Sequence, residues 1–168
     1  IGWIQVGAGA VMRLVQDKLR ESISVFDFMT PAQIADVLAG TALVDVTAAI
    51  NAASLAAKGK RLFFPAGTYL ISGLLTVYAS SSWYGEGIDK SILKLAASFP
   101  AGTSMLQNAV QTGAVDTYAD KGFLFRDMSF DGNNNALRTI ALVSFFNLLS
   151  VSTLGLSSFM RSFAISAL

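Results

Sequence analysis

Arg61-Leu62-Phe63-Phe64-Pro65-Ala66-Gly67-Thr68-Tyr69-Leu70-Ile71 is the run from which the architecture is read. Arg61 to Phe64 predicts a short strand, stopped by a proline that cannot donate to a ladder. Pro65 to Thr68 then reads as a turn, and Tyr69 to Ile71 as a strand that Gly73 breaks. Leu74 to Val77 predicts a third strand and Ile92 to Leu95 a fourth. Ser80 to Gly87, holding Trp83, Tyr84 and two glycines, reads as a loop with one packed aromatic. Phe99 to Gly102 is a further turn and Met105-Leu106 a brief apolar return. Gln111 to Lys121 is a polar excursion. Asp131-Gly132-Asn133-Asn134-Asn135 is a strong turn signal, because these residues accept left-handed backbone angles.

Beyond that excursion a faint repeat emerges. Phe125, Met128 and Phe130 recur as Val151, Leu154 and Leu156, all three at the same offset. A recurrence of that length suits one turn of a solenoid, in which inward side chains stack into ladders. On the pattern alone, a sandwich or another β-rich fold remains open beside a β-solenoid.

Upstream of Lys60 the character is helical. Thr30 and Pro31 start a helix, since Thr30 caps and Pro31 lacks only an N–H that would be unpaired there anyway. Gln33 completes a capping box, Ile34, Val37 and Leu38 give an apolar face, and Gly40 closes the helix. Asp45 reads as a second cap, before an alanine-rich helix over Thr47 to Ala57. That helix, centred on Ile50, is the expected lid of the strands, whose open edges would otherwise pair wrongly. Val11 to Ile23 predicts a further helix with Leu14, Val15 and Leu19 on its apolar side. A helix that short is marginal in isolation, so it needs a partner, which a self-associating stalk would supply.

Composition removes many chemistries. The 168 residues are 53% hydrophobic and 14% charged, with a net charge of +1, so disorder throughout is excluded and the charge balance gives no support for a nucleic-acid-binding tail. Cysteine and histidine are absent, which eliminates disulfides, thiolate catalysis, serine–histidine triads and imidazole metal sites. No metal and no cofactor are expected. Ile140 to Met160 carries no charge, but its serines, Asn147 and Thr153 read as strands and turns rather than a membrane span. The chain starts with Ile rather than Met and ends inside an apolar stretch, so it reads as a fragment.

Gly7-Ala8-Gly9-Ala10-Val11-Met12-Arg13-Leu14-Val15-Gln16-Asp17-Lys18-Leu19-Arg20-Glu21, followed by Ser24 to Phe28, resembles the linker that precedes the body of bacteriophage tailspikes and tail fibres. Phe64-Pro65-Ala66-Gly67-Thr68-Tyr69-Leu70-Ile71 resembles the start of their body, a right-handed parallel β-helix of the pectate-lyase-like fold. The resemblance implies a mainly β chain in three parts: a neck over 1–24, a capping subdomain over 25–60 and the first coils over 61–168. It implies a homotrimer held in part by Leu14, Val15 and Leu19, attached to virion tail proteins through residues upstream of Ile1. It further implies recognition, and in many relatives degradation, of host capsule or lipopolysaccharide. A secreted β-helix lyase or hydrolase and a bacterial surface adhesin are the alternatives. Many relatives carry an Asp-rich turn before the first body helix. Here Gly40 to Thr47 retains only Asp45, so no calcium or catalytic role transfers to that turn.

Glycosidic hydrolysis needs two carboxylates about 5–9.5 Å apart. Asp127 and Asp131 are the best pair on sequence, but four positions along a strand separate them by about 13 Å, so surface and turn roles suit them better. Asp116, Tyr118 and Asp120 lie in the polar excursion, where hydrogen bonds and a ring suit a sugar and an ordinary solvated loop suits them too. Gly85-Glu86-Gly87 lacks the lysine and hydroxyl of a phosphate loop.

Overall fold

The structure is a computed structural model that describes residues 2–100, 103–108 and 122–133. The chain opens on a short antiparallel pair and a one-turn helix. Strand β1 (Gly2–Trp3) pairs antiparallel with β2 (Arg13–Leu14), and helix α1 (Val15–Leu19) follows at once. The helix expected over Val11 to Ile23 is thus confined to its middle. Its two ends are taken by sheet pairing, β2 on β1 and β3 (Ser22–Ser24) on the body, and tertiary pairing outweighs a weak local preference.

After β3 come a 3-10 turn (Val25–Phe28) and helices α2 (Pro31–Ala39) and α3 (Thr47–Ala56). Strands β4 (Arg61–Phe64), β5 (Gly67–Ile71) and β6 (Leu75–Val77) then make a first pass. Strands β7 (Ser82–Gly85), β8 (Ser91–Leu95) and β9 (Leu106–Asn108) make a second, and β10 (Leu124–Arg126) and β11 (Ser129–Asp131) begin a third. Each strand pairs in parallel with its counterpart in the next pass, giving sheets ordered β3-β4-β7-β10, β5-β8-β11 and β6-β9. The fold is mainly β, built from parallel sheets that the chain visits in rotation.

Alternation seals the core. Leu62, Phe64, Tyr69, Ile71, Leu75, Val77, Trp83, Leu93, Leu95 and Leu106 are fully buried, while their strand neighbours face outward. Each such side chain contributes roughly 1.5–3 kcal/mol by leaving water. Rings run through the stack in sequence: Tyr69 to Phe64 at 5.5 Å, Phe64 to Trp83 at 5.2 Å, Trp83 to Phe125 at 5.5 Å and Phe125 to Phe130 at 6.0 Å. Burial pushes the Tyr69 phenol far above its ordinary pKa, with the Glu86 carboxylate adding to the effect, so it stays protonated and donates to Pro65 O at 2.6 Å.

The described strands give the stacking partners on the side of the preceding pass. Phe125 pairs with Trp83 and Phe130 with Leu93. In the earlier passes Leu62 meets Trp83, Tyr69 meets Leu93 and Leu75 meets Leu106, and no two of these pairs share one sequence spacing. Connections of unequal length hide the period. Val151, Leu154 and Leu156 lie outside the described residues. Met128 is buried between β10 and β11 rather than within a strand.

Ser80 to Gly87, expected as a loop, contains β7. Its alternation is masked because the inward position after Trp83 is Gly85. A Cβ there would lie 2.2 Å from Asp127 O and 2.6 Å from Ser91 Cβ, so the corner closes only over glycine. Ser91 fills the space, donating to Phe64 O at 2.8 Å and accepting from Glu86 N at 3.0 Å.

Candidate functional site: a capped edge and the face beside it

The segment before β4 occupies the places that strands take in later passes. β3 lies beside β4, α2 packs along β5 and α3 along β6. Beside β6 the helix side chains do the work of a missing strand. Asn51 Oδ1 accepts from Thr76 N at 2.8 Å, and its Nδ2 donates to Leu74 O at 2.9 Å. A primary amide carries the same donor and acceptor as a peptide group, so one side chain satisfies what a neighbouring strand would. Ser54 Oγ donates to Thr76 O at 2.6 Å. Beneath these contacts Ile50, Ala53 and Ala57 are fully buried, the small residues letting the helix lie close.

The two helices are themselves pinned. Thr30 accepts from Gln33 N at 3.3 Å while Gln33 Oε1 accepts from Thr30 N at 2.9 Å; Pro31 holds the first helical position and Gly40 ends α2 at φ 68°. Gln33 Nε2 also reaches Asp45 O at 3.0 Å. α3 starts one residue later than Asp45 alone would place it, with Val46 at its boundary. The Asp45 carboxylate accepts from Thr47 N at 3.1 Å, from Thr47 Oγ1 at 2.6 Å and from Ser72 N at 3.2 Å, so it ties the start of α3 to the end of β5. Asp36, which composition does not single out, is buried at 9% exposure. Its carboxylate accepts from Leu43 N and Val44 N, both at 3.1 Å, and from the Thr41 hydroxyl, folding the 41–44 loop around one charge.

Beside this cap lies the outer face of the β3-β4-β7-β10 sheet. In register across it stand Ser24, Phe63, Tyr84 and Arg126, and, one position back on that same face, Ser22, Arg61, Ser82 and Leu124. The Phe63 and Tyr84 rings are 5.0 Å apart, the Arg126 guanidinium sits 5.8 Å above the Tyr84 ring, and a 2.8 Å hydrogen bond joins Tyr84 Oη to Ser22 Oγ. At the foot of the face an open cleft of about 690 Å³ is lined by Asp17, Arg20, Glu21, Ser22, Gly59, Lys60 and Arg61.

The two carboxylate candidates are held by different partners. Asp127 sits in the corner between β10 and β11 with a left-handed backbone, φ 56°, and pairs with Arg126 at 3.5 Å. Asp131 ends β11, where it accepts from Asn133 N at 2.8 Å and stands 4.0 Å from Lys94. The expected single strand carrying both is in fact two strands with a corner between them. Asp116, Tyr118 and Asp120 lie outside the described residues. Leu14 and Leu19 are 55% and 70% exposed, and Val15 is half-buried.

Among the described residues three carboxyls are shifted, all downward. Burial raises Asp36 and Asp45, but hydrogen bonds outweigh it, from Thr41, Val44 and Leu43 at Asp36 and from Thr47 and Ser72 at Asp45. Glu21 is lowered by its bonds to Lys18 and Arg13. A glycosidic general acid requires the opposite displacement. Among the described residues no group of three or more acidic side chains is placed to hold a metal ion, and no helix is long and apolar enough to cross a membrane.

Comparison with known proteins agrees with this geometry. No curated protein matches the chain. Among solved structures it is similar to the pre-mature bacteriophage phi29 gene product 12, with a TM-score of 0.54 and 21% identity. The likeness covers 71% of this chain but only 14% of that one, so the chain matches a small part of the phage protein's length. A family model, "Rhamnogalacturonase A/epimerase, pectate lyase-like", matches residues 38–143. That span takes in α3, both full passes of strands and the start of the third, and the chain therefore belongs to the rhamnogalacturonase A/epimerase, pectate-lyase-like family.

Proposed function

We propose that the chain is the connector and the first segment of the body of a phage tail protein that recognises polysaccharide on the host surface during adsorption. Residues 1–24 act as the neck, 25–60 as the cap and 61 onward as the first coils of a right-handed parallel β-helix. The observation that carries this reading is the substitution of a strand and two helices for the pass before β4, which closes the end of the stack that faces the neck. The linker resemblance over Gly7 to Glu21 and the likeness to a bacteriophage protein support the virion setting. In this reading the protein is a homotrimer, with Leu14, Val15 and Leu19 at the threefold contact. In its enzymatic form the whole protein is a polysaccharide depolymerase whose catalytic carboxylates lie beyond the turns described.

The family description favours a second reading, a secreted polysaccharide-cleaving enzyme with no virion attachment. One experiment separates the two. Antibodies raised against this chain should label the tails of purified phage particles in electron microscopy and block adsorption to host cells. Unlabelled particles, with the protein free in the lysate, overturn the tail reading and favour the secreted enzyme.

A further inference from the structure

We propose that the outer face of the β3-β4-β7-β10 sheet and the cleft at its foot form one binding surface for an acidic oligosaccharide. The inference rests on the carbohydrate-recognition reading above and gives it a location and a ligand charge.

Two separate features meet here. The first is a pair of aromatic rings on a solvent-facing sheet. Phe63 and Tyr84 point away from the core, are only half-buried and stack on each other at 5.0 Å. Rings held in register offer an apolar platform, while the surrounding Ser22, Ser24, Ser82 and the Tyr84 hydroxyl supply hydrogen bonds. An apolar ring face bordered by hydroxyls complements a sugar, which alternates C–H faces with hydroxyl edges.

The second feature is charge. In the cleft Glu21 is already held by Arg13 and Lys18. Arg20, Lys60 and Arg61 make no ion pair or side-chain hydrogen bond among the described residues, and Asp17 is the one other acid lining the cleft. Three cations gathered around one unpaired acid, in a chain whose net charge is only +1, leave a positive site that an anionic group would neutralise.

The features are continuous. Ser22 lines the cleft and also bonds Tyr84, and Arg61 stands two positions before Phe63 on that face of β4. Four strands at about 4.8 Å spacing give a path of about 14 Å from Ser24 to Arg126, enough for a short run of sugar rings. A single nucleic-acid strand also combines rings with charge, but the polar groups along the Ser24–Phe63–Tyr84–Arg126 row are hydroxyls and its one cation, Arg126, stands at one end.

Titration calorimetry of the purified chain with tetragalacturonate tests the proposal. Saturable binding is expected, weakened by added salt, and at least tenfold tighter than binding of neutral maltotetraose. Tyr84→Ala and, separately, Arg61→Gln should each weaken it at least tenfold. Arg61→Gln changes an exposed side chain, so it keeps the test decisive if Tyr84→Ala fails to fold. No binding by the native chain, equal binding by a folded variant, or tighter binding of oligothymidylate than of tetragalacturonate overturns the assignment. The antibody experiment reads virion location without using this face, so the two proposals fail independently.

Discussion

Ile4, Val6, Met12 and Leu19 of the neck are as apolar as Leu62, Trp83 and Leu93 of the stack, yet the first four stand in solvent and the last three are sealed. The contrast lies in pattern rather than composition. In the stack, alternation along each strand and parallel register between passes bring every inward residue over another inward residue. In the neck, β1 and β2 share only two residue pairs and no residue of α1 is buried. Hydropathy states which side chains gain from burial. A repeated backbone register is what delivers it.

The largest expected effect breaks this contrast directly. Leu93→Ala should cost about 2–5 kcal/mol and Trp83→Ala about 3–5, because each leaves a hole in a close-packed column. Val6→Ala and Leu19→Ala should stay within about 0.5 kcal/mol, as exposed positions do. Urea unfolding followed by circular dichroism measures all four. Similar costs in both regions would erase the distinction.

Next in size is the edge where side chains replace a strand. Asn51→Leu keeps the volume but leaves Thr76 N–H and Leu74 C=O without the partners that Asn51 gives them, at about 1–3 kcal/mol. Asn51→Asp keeps the acceptor and turns the donor into a second oxygen facing a carbonyl, so it too should destabilise. If both variants melt with the native protein, the amide is not what closes β6.

A smaller and pH-dependent effect belongs to Asp36. Burial raises its pKa, and the Thr41, Val44 and Leu43 donors more than compensate, so the folded value lies below the unfolded one. A depressed carboxyl stabilises the fold above the unfolded pKa of about 3.9, and that contribution disappears as pH falls through the folded value. Asp36→Asn should therefore lower stability at neutral pH and flatten its dependence over the acid range. Thermal melts from pH 6 down to pH 2 check this, and an unchanged slope would remove Asp36 from the account.

Much of the stack was legible because its signals are local. Pro65 stops β4, Gly40 ends α2, and Thr30 with Gln33 starts it, each through chemistry confined to a few residues. What the sequence concealed depends on distant neighbours. β7 is hidden because Gly85 is inward, and only the approach of Asp127 O and Ser91 explains a glycine there. The ladders among the described strands are hidden because the connections differ in length: Leu62 reaches Trp83 over a much shorter stretch than Trp83 reaches Phe125. Asp36 looks like any helical acid until the loop that folds back on it is seen. Of the site, the capping residues Thr30, Asp45 and Ile50 could be read from local pattern. The Phe63–Tyr84 row could not, since the two rings are remote in the chain and adjacent only through the β4–β7 register.

The smallest expected effect sharpens the contrast from the neck side. Leu14→Asp combined with Leu19→Asp places two charges where the side chains are already 55% and 70% exposed. Neither residue belongs to the core column, so the unfolding transition of the stack should move by no more than about 0.5 kcal/mol. Association reads differently. If these leucines meet their counterparts at the proposed threefold contact, each burial there is worth roughly 1.5–3 kcal/mol, and a charge in its place removes that gain while adding repulsion between copies. Sedimentation should then show trimer falling toward monomer while the melt stays put. Trimer unchanged would assign self-association to the body and leave the neck's apolar residues without that role. A melt lowered as far as by Leu93→Ala would mean that the neck packs as the stack does, and the division between sealed ladder and exposed arm would fall.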